Sequence, residues 1–123
     1  MLNFVICDDM PLSSKDIKNA IEYITNEYDI EYSLDIFDKT SDLIASMSNK
    51  KYDMFFIDIM MPEIKGYKLV KFIQMSCPFA ITVLISMFET FGDVACSSKV
   101  DAYLYKSYNK DKMIIEVAHL IKK

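Results

Sequence analysis

The chain has 123 residues, of which 52% are hydrophobic, so it can bury the core of one domain without disulfides or a structural metal. Its net charge is −4 and all 14 basic residues are lysines, which argues against direct nucleic-acid binding by this domain. The opening residues carry no basic leader and no apolar run approaches the ~20 residues of a membrane span. We therefore expect a cytoplasmic protein that does not enter a membrane.

Apolar runs of strand length alternate with segments of helical period along the chain. The predicted strands are Leu2–Cys7, Glu31–Phe37, Met54–Ile57, Ala80–Ile85 and Ala102–Tyr105. The predicted helices are Ser13–Tyr28, Ser41–Asn49, Lys65–Met75, Glu89–Ser98 and Lys110–Lys122. Pro11 suits the first turn of the first helix. Gly92 weakens the fourth helix, which we expect to be short or mobile.

Most of the predicted strands are almost continuously apolar, which indicates burial on both faces of a sheet. Right-handed crossovers between parallel strands leave few topologies for a chain of this size. We predict one α/β domain over residues 1–123. Its five-stranded parallel sheet has the order 2-1-3-4-5, with five helices distributed over both faces.

Polar residues follow the first, third, fourth and fifth predicted strands. Asp8 and Asp9 end the first strand, Asp58 the third, Ser86 the fourth and Lys106 the fifth. The carboxyl ends of parallel strands meet at one edge of the sheet, near the switch point between strands 1 and 3. Each residue also has an ordinary structural role: a helix cap for Asp9 and Ser86, a turn for Asp58, a solvated charge for Lys106.

The joint pattern favours a metal site over these separate roles. Three clustered carboxylates repel one another, and a single lysine cannot neutralise them. A hard divalent ion with oxygen ligands can do so. Mg²⁺ accepts few protein carboxylates and keeps positions for other oxygens, so we expect Mg²⁺ at this edge.

Over its whole length the chain resembles a response-regulator receiver domain, the flavodoxin-like or CheY-like module of two-component systems. The segment Asp58-Ile-Met-Met-Pro62-Glu-Ile-Lys-Gly66 matches the phosphoacceptor motif of that family. The family's acidic pair, hydroxyl residue, aromatic switch residue and lysine are matched by Asp8 with Asp9, Ser86, Tyr103 and Lys106. The "ICDD" opening and the "AYLYK" ending are similar to receivers of LytTR-type transcription regulators.

The resemblance implies that Asp58 is the phosphoacceptor and forms an acyl phosphate. It implies Mg²⁺ held by Asp8, Asp9, Asp58 and the Met60 carbonyl, with Ser86 and Lys106 contacting phosphoryl oxygens. Its only catalysis would be self-phosphorylation and autodephosphorylation.

The resemblance also implies partners and an output. The donor would be a sensor histidine kinase, and Ser86 and Tyr103 would be the switch residues. The switch would alter the face formed by the fourth helix, fifth strand and fifth helix, which could dimerise on phosphorylation or meet an effector that controls transcription. The chain ends at Lys123, which leaves open a stand-alone receiver or part of a longer regulator.

Four residues depart from the usual receiver pattern. Ser107 stands where the family has proline after a cis bond, and a cis Lys106–Ser107 bond would cost about 2.5–4 kcal/mol. Met87 is bulky where a small residue is usual. Met60 and Phe88 are bulky and apolar beside the expected path of attacking water, so we expect slow hydrolysis of the phosphorylated form.

Three other functions fit parts of the pattern. A pseudo-receiver would bind partners without phosphorylation. A haloacid-dehalogenase-type phosphatase also uses an aspartyl phosphate, but it needs Asp-x-Asp where this chain has Asp58-Ile59-Met60. A flavin-binding electron carrier needs a hydroxyl- and glycine-rich phosphate loop, whereas the loop here begins Asp8-Asp9-Met10-Pro11.

Overall fold

The computed structural model describes residues 1–59, 61, 64–86, 100–105 and 110–121. Five strands form one parallel sheet in the order β2-β1-β3-β4-β5, which confirms the predicted topology. The strands are β1 (Leu2–Cys7), β2 (Tyr32–Phe37), β3 (Met54–Asp58), β4 (Ile81–Ser86) and β5 (Ala102–Tyr105). The described helices are α1 (Pro11–Glu27), α2 (Thr40–Met47), α3 (Gly66–Ser76) and α4 (Lys110–Ile121). The predicted helix at Glu89–Ser98 lies outside the described residues.

The sheet is buried on both faces, as the apolar strands predict. Phe55 and Phe56 are neighbours in β3, point to opposite faces and are both 0% exposed. On one face, Phe56 packs in a cluster with α1 and α4, represented by Ile21 and Val117. On the other, Phe55 packs with α3, represented by Ile73. The domain is therefore a three-layer sandwich with β3 at its centre.

The edge strand β2 is only half-buried, and a polar network ties it to α2 and to the start of β3. The Asp35 carboxylate accepts hydrogen bonds from the Tyr52 hydroxyl at 2.6 Å and from Lys50 Nζ at 3.1 Å. The Tyr52 oxygen also lies 3.2 Å from Ser46 Oγ on α2. The Tyr52 ring is buried and meets Phe55 edge-on at 5.6 Å between ring centroids. The network thus connects the edge strand to the core.

The same network shifts two pKa values in opposite directions. The hydrogen bond from Tyr52 lowers the pKa of Asp35; partial burial opposes this, and Lys50 adds to it. Burial raises the pKa of the Tyr52 hydroxyl, and its hydrogen bond to Asp35 raises it further. Both shifts favour a neutral hydroxyl donating to a charged carboxylate.

Polar side chains also fix the amino ends of the central strands. The Asp53 carboxylate accepts the Asn3 N–H at 2.7 Å, so it holds the start of β1 beside β3. Asp101 accepts both the N–H and the hydroxyl of Thr82, at 2.8 and 3.1 Å, so it holds β5 against β4. Thr82 is 0% exposed, so Asp101 provides the hydrogen-bond acceptor that the buried N–H and hydroxyl of Thr82 need.

In the part of the chain that the structure describes, no helix is both long enough and apolar enough to cross a bilayer.

Candidate functional site

The register of the two central strands brings two carboxylates to one level. Cys7 of β1 is paired with Ile57 of β3. Asp8 directly follows Cys7, and Asp58 directly follows Ile57, so the two aspartates lie side by side. The Asp8 N–H donates to the Phe37 carbonyl at 3.0 Å, which prolongs the pairing of β1 with β2. Asp8 and Asp58 are therefore held by the sheet itself.

Asp8, Asp9 and Asp58 form one cluster, as the sequence predicts. Each offers a carboxylate oxygen, and these oxygens all lie within 4.8 Å of one another. Asp8 and Asp58 are 2% and 4% exposed, whereas Asp9 is exposed. Two nearly buried carboxylates at this separation repel strongly unless a cation lies between them. The donor set is entirely oxygen, which fits a hard divalent ion such as Mg²⁺.

The start of α1 shows that Asp9 does not cap the helix. The N-cap residue is Met10, with an extended backbone and no side-chain cap. The Asp8 Oδ1 atom accepts the Met10 N–H at 2.9 Å instead. Pro11, the first helical residue, has no N–H to satisfy. Capping, the alternative role for Asp9, is therefore wrong, and its carboxylate belongs to the acidic cluster.

Ser86 and Tyr103, two of the other predicted site residues, lie on β4 and β5, the next two strands of the sheet after β3. Asp58 is paired with Ile85, and Ser86 follows as the last residue of β4, 1% exposed. Tyr103 lies on β5, is paired with Leu84 of β4, and is half-buried against the core cluster on the α3 side of the sheet. Ser86 is thus at the same edge of the sheet as the acidic cluster, and Tyr103 is two residues further from that edge, on the neighbouring strand.

The remaining predicted site residues lie outside the described residues. They are Met60, Pro62, Met87, Phe88, Lys106 and Ser107. Lys106 directly follows Tyr105, the last residue of β5, which is paired with Ser86. His119, the one histidine of the chain, lies on α4 and is exposed.

An open cleft of 660 Å³ extends from the acidic cluster between α1 and β2. It is lined by Asp8, Asp9, Pro11, Ser14, Lys15, Lys18, Asn19, Glu22, Ile36 and Asp38. Sequence reasoning did not select Asp38. Its signal was available, because Asp38 directly follows β2 and so lies at the same edge of the sheet as Asp8 and Asp58.

The family model for the response regulator receiver domain matches residues 4–118. The response regulator ArlR of Staphylococcus saprophyticus is 23% identical over 124 residues, an alignment that covers 100% of this chain and 54% of that protein. The chain thus spans about half the length of the curated relatives it matches.

Solved receiver structures share the fold. The response regulatory domain of mrkE from Klebsiella pneumoniae is 20% identical with a TM-score of 0.81, covering 98% of this chain and 96% of that one. The Mn²⁺-bound form of response regulator Rcp1 is 16% identical with a TM-score of 0.76, covering 98% of this chain and 91% of that one.

Proposed function

The chain belongs to the response regulator receiver domain family, and we propose that residues 1–123 form a phosphoacceptor domain that takes a phosphoryl group from a sensor histidine kinase onto Asp58. The observation that carries this proposal is the cluster of Asp8, Asp9 and Asp58 at the carboxyl edge of the sheet. A phosphoacceptor needs a nucleophile beside positive charge that offsets the incoming phosphoryl oxygens. The other carboxylates of the cluster would provide that positive charge by holding a cation.

Asp58 would act as the nucleophile. One carboxylate oxygen forms a bond to phosphorus while the bond from phosphorus to the donor's imidazole nitrogen breaks, and the electron pair stays on that nitrogen. Asp58 is the last residue of a strand buried on both faces, and its N-terminal neighbour Ile57 is 0% exposed. The nucleophile is therefore fixed in position before the donor arrives, which suits a reaction that depends mainly on alignment.

Mg²⁺ is the cofactor we propose. Asp8, Asp9, Asp58 and the Met60 carbonyl would hold it, and the first three are all oxygen donors within reach of one ion. When bound, the ion would offset the charge of the carboxylates and of the phosphoryl oxygens. The Mn²⁺-bound form of Rcp1 is a receiver with a divalent ion, which is consistent with such a site.

Ser86 and Lys106 would contact phosphoryl oxygens, and Ser86 and Tyr103 would form the switch. Ser86 is buried at the strand end next to Asp58, so a small movement of its hydroxyl would reach a new phosphoryl group. Tyr103 is half-buried on β5, and an inner and an outer position of its ring would be the two states of the switch. Such a two-state residue is what a phosphate-biased equilibrium requires.

The partners follow from the same proposal. A sensor histidine kinase would supply the phosphoryl group, and an effector would receive the signal, with transcription as its output. Dimerisation on phosphorylation through the face containing β5 and α4 is a further part of the proposal. The cytoplasmic location expected from the sequence stays a prediction.

Phosphorylation by a small donor tests the proposal directly. We expect acetyl phosphate with Mg²⁺ to raise the intact mass by one phosphoryl group, and EDTA or Asp58→Asn to abolish the increase. Asp38→Asn is the matched control, because Asp38 lines the same cleft but is not in the cluster. It should keep the modification. An unmodified wild-type protein, under conditions where a known receiver is modified, would instead indicate the pseudo-receiver.

A further inference from the structure

The carboxyl end of α3 carries an exposed apolar surface, which we call the α3 patch: Phe72, Met75 and Phe79. Their exposed fractions are 44%, 85% and 100%. Phe72 and Met75 are three residues apart in α3 and therefore share a helix face, and Phe79 follows on the turn after the helix. Soluble domains seldom leave such a group in water unless it binds something.

Positive charge surrounds the α3 patch. Lys68 and Lys71 are exposed on the same helix, and residues 65–80 contain no carboxylate. Lys51 lines a cavity of 270 Å³ together with Phe79. Asp53 also lines it and stays negative although it accepts the Asn3 N–H at 2.7 Å, but Lys51, Lys68 and Lys71 outnumber it. On a chain with a net charge of −4, this surface is locally basic and apolar.

The opposite character appears at the carboxyl end of α1, in a surface we call the α1 patch. Tyr23 and Tyr28 are 57% and 52% exposed. They are accompanied by the exposed carboxylates of Glu27, Asp29 and Glu31. Residues 22–31 contain no lysine. The α1 patch is therefore acidic and aromatic, and its tyrosines offer ring faces to both apolar and cationic side chains.

The two patches lie on different layers of the sandwich. Helix α1 packs on one face of the sheet and α3 on the other. One copy of the domain therefore cannot bring its two patches together, whereas two copies can. We propose that the α3 patch of one copy binds the α1 patch of a second copy.

This contact joins different surfaces of the two copies, so each bound copy still presents one unused patch. Association of this kind continues head to tail until a ring closes or the chain of copies ends. The lysines would meet carboxylates, and Phe72, Met75 and Phe79 would meet the tyrosines. Salt should weaken the contact because charge complementarity is part of it. The inference does not depend on phosphorylation of Asp58.

Sedimentation of the full chain over a range of concentrations tests the inference. We expect the average mass to rise above the monomer mass of 14.3 kDa with concentration, and to fall towards it in high salt. Met75→Ser with Phe79→Ser should remove the association, as should Tyr23→Ser with Glu27→Lys. Leu12→Ser is the matched control, since Leu12 is 76% exposed at the other end of α1. It should associate like wild type.

Mixing the two patch variants gives the decisive result. Each variant keeps one intact patch, so an equimolar mixture should form a dimer of twice the monomer mass although each variant alone stays monomeric. All substituted side chains are exposed, and far-UV circular dichroism checks that the variants fold. Three results would overturn the inference: a wild-type chain that stays monomeric, association that the patch variants keep, or a mixture that forms no dimer.

Discussion

Replacing Asp8 by asparagine should make the domain more stable when no divalent ion is present. The substitution keeps the shape of the side chain and an oxygen that can accept the Met10 N–H, as Oδ1 does at 2.9 Å in the wild type. It removes one of two nearly buried charges, because Asp8 and Asp58 are 2% and 4% exposed. The repulsion between them is therefore lost without loss of that local hydrogen bond.

The size of the effect follows from the separation of the carboxylate oxygens, which is within 4.8 Å. Coulomb's law at that distance gives about 3.5 kcal/mol for an effective dielectric constant of ~20 and about 0.9 kcal/mol in bulk water. We expect Asp8→Asn to raise the free energy of unfolding in EDTA by about 1–3 kcal/mol, between these two limits. Asp9 is exposed, so solvent and salt screen its charge and it adds little to this repulsion.

Urea unfolding with EDTA and with Mg²⁺ measures both parts of the prediction. Ion binding to the native state raises the free energy of unfolding by RT ln(1 + [L]/Kd), so wild type should gain on adding Mg²⁺, and Asp8→Asn, which should bind the ion more weakly, should gain less. Asp29→Asn is the control, because Asp29 is exposed and has φ 52°, a conformation that asparagine tolerates. It should stay within about 0.5 kcal/mol of wild type. A variant less stable than wild type in EDTA, with an unchanged Mg²⁺ response, would refute the electrostatic reasoning.

Three further predictions concern other parts of the molecule. Tyr52→Phe should lower the free energy of unfolding by about 1–2 kcal/mol at neutral pH. This is at the low end for a hydrogen bond to a charged acceptor, because the Asp35 side chain is 36% exposed. As a control, Tyr32→Phe on the same edge of the sheet should change the free energy of unfolding by less than ~0.5 kcal/mol. The Asp35 pKa is lowered in the folded state, so the stability that this hydrogen bond contributes is present above the unfolded pKa of about 4 and is lost as the pH falls through the folded pKa. The loss of stability caused by Tyr52→Phe, measured by urea unfolding, should therefore shrink in acid. A loss that stays constant with pH would contradict the role given to the Tyr52–Asp35 hydrogen bond. Asp101→Ala should lower the free energy of unfolding by about 1–3 kcal/mol because it leaves the buried Thr82 N–H without its acceptor. Asp101→Asn keeps an acceptor oxygen and should recover much of that loss. Equal melting curves for the two variants would exclude this role of Asp101. Met60→Asn with Phe88→Glu should speed dephosphorylation of the acetyl-phosphate-treated protein by providing groups that orient water, and an unchanged rate would disprove the expectation of slow hydrolysis.

The strands and helices were predictable because the apolar pattern of this chain is strong. Strands β1 and β5 have the predicted bounds, Leu2–Cys7 and Ala102–Tyr105, and the ends of the other described elements differ by no more than two residues. Helix α1 begins at Pro11 rather than Ser13 because proline fits the first turn, where an N–H is not needed. Local pattern and global packing agree in these elements, so the sequence alone was sufficient.

The acidic cluster was predictable for a different reason. Asp8 and Asp58 end adjacent strands, and strand order alone brings them together. The roles of Asp9 could not be separated in the same way, because a carboxylate before a helix suits both a cap and a metal site. The choice depended on the backbone geometry of Met10, which the residue types do not encode.

The network around Asp35 was not predictable from periodicity. A strand pattern places Asp35 on the less apolar side of β2, but it does not say that Tyr52, 17 positions later, reaches the same carboxylate. That contact is set by the packing of α2 against β2 and by the start of β3. Sequence separation of this kind carries no local signal in a single chain.

The central place of β3 constrains how the domain can move. A strand paired on both sides and covered on both faces exchanges its amide hydrogens only when a large part of the domain opens. Asp58 is the last residue of that strand, so the chemistry proposed for it would be attached to a part of the sheet that opens slowly. We therefore expect a signal that begins at Asp58 to leave through side chains and neighbouring loops rather than through a rearrangement of the strand.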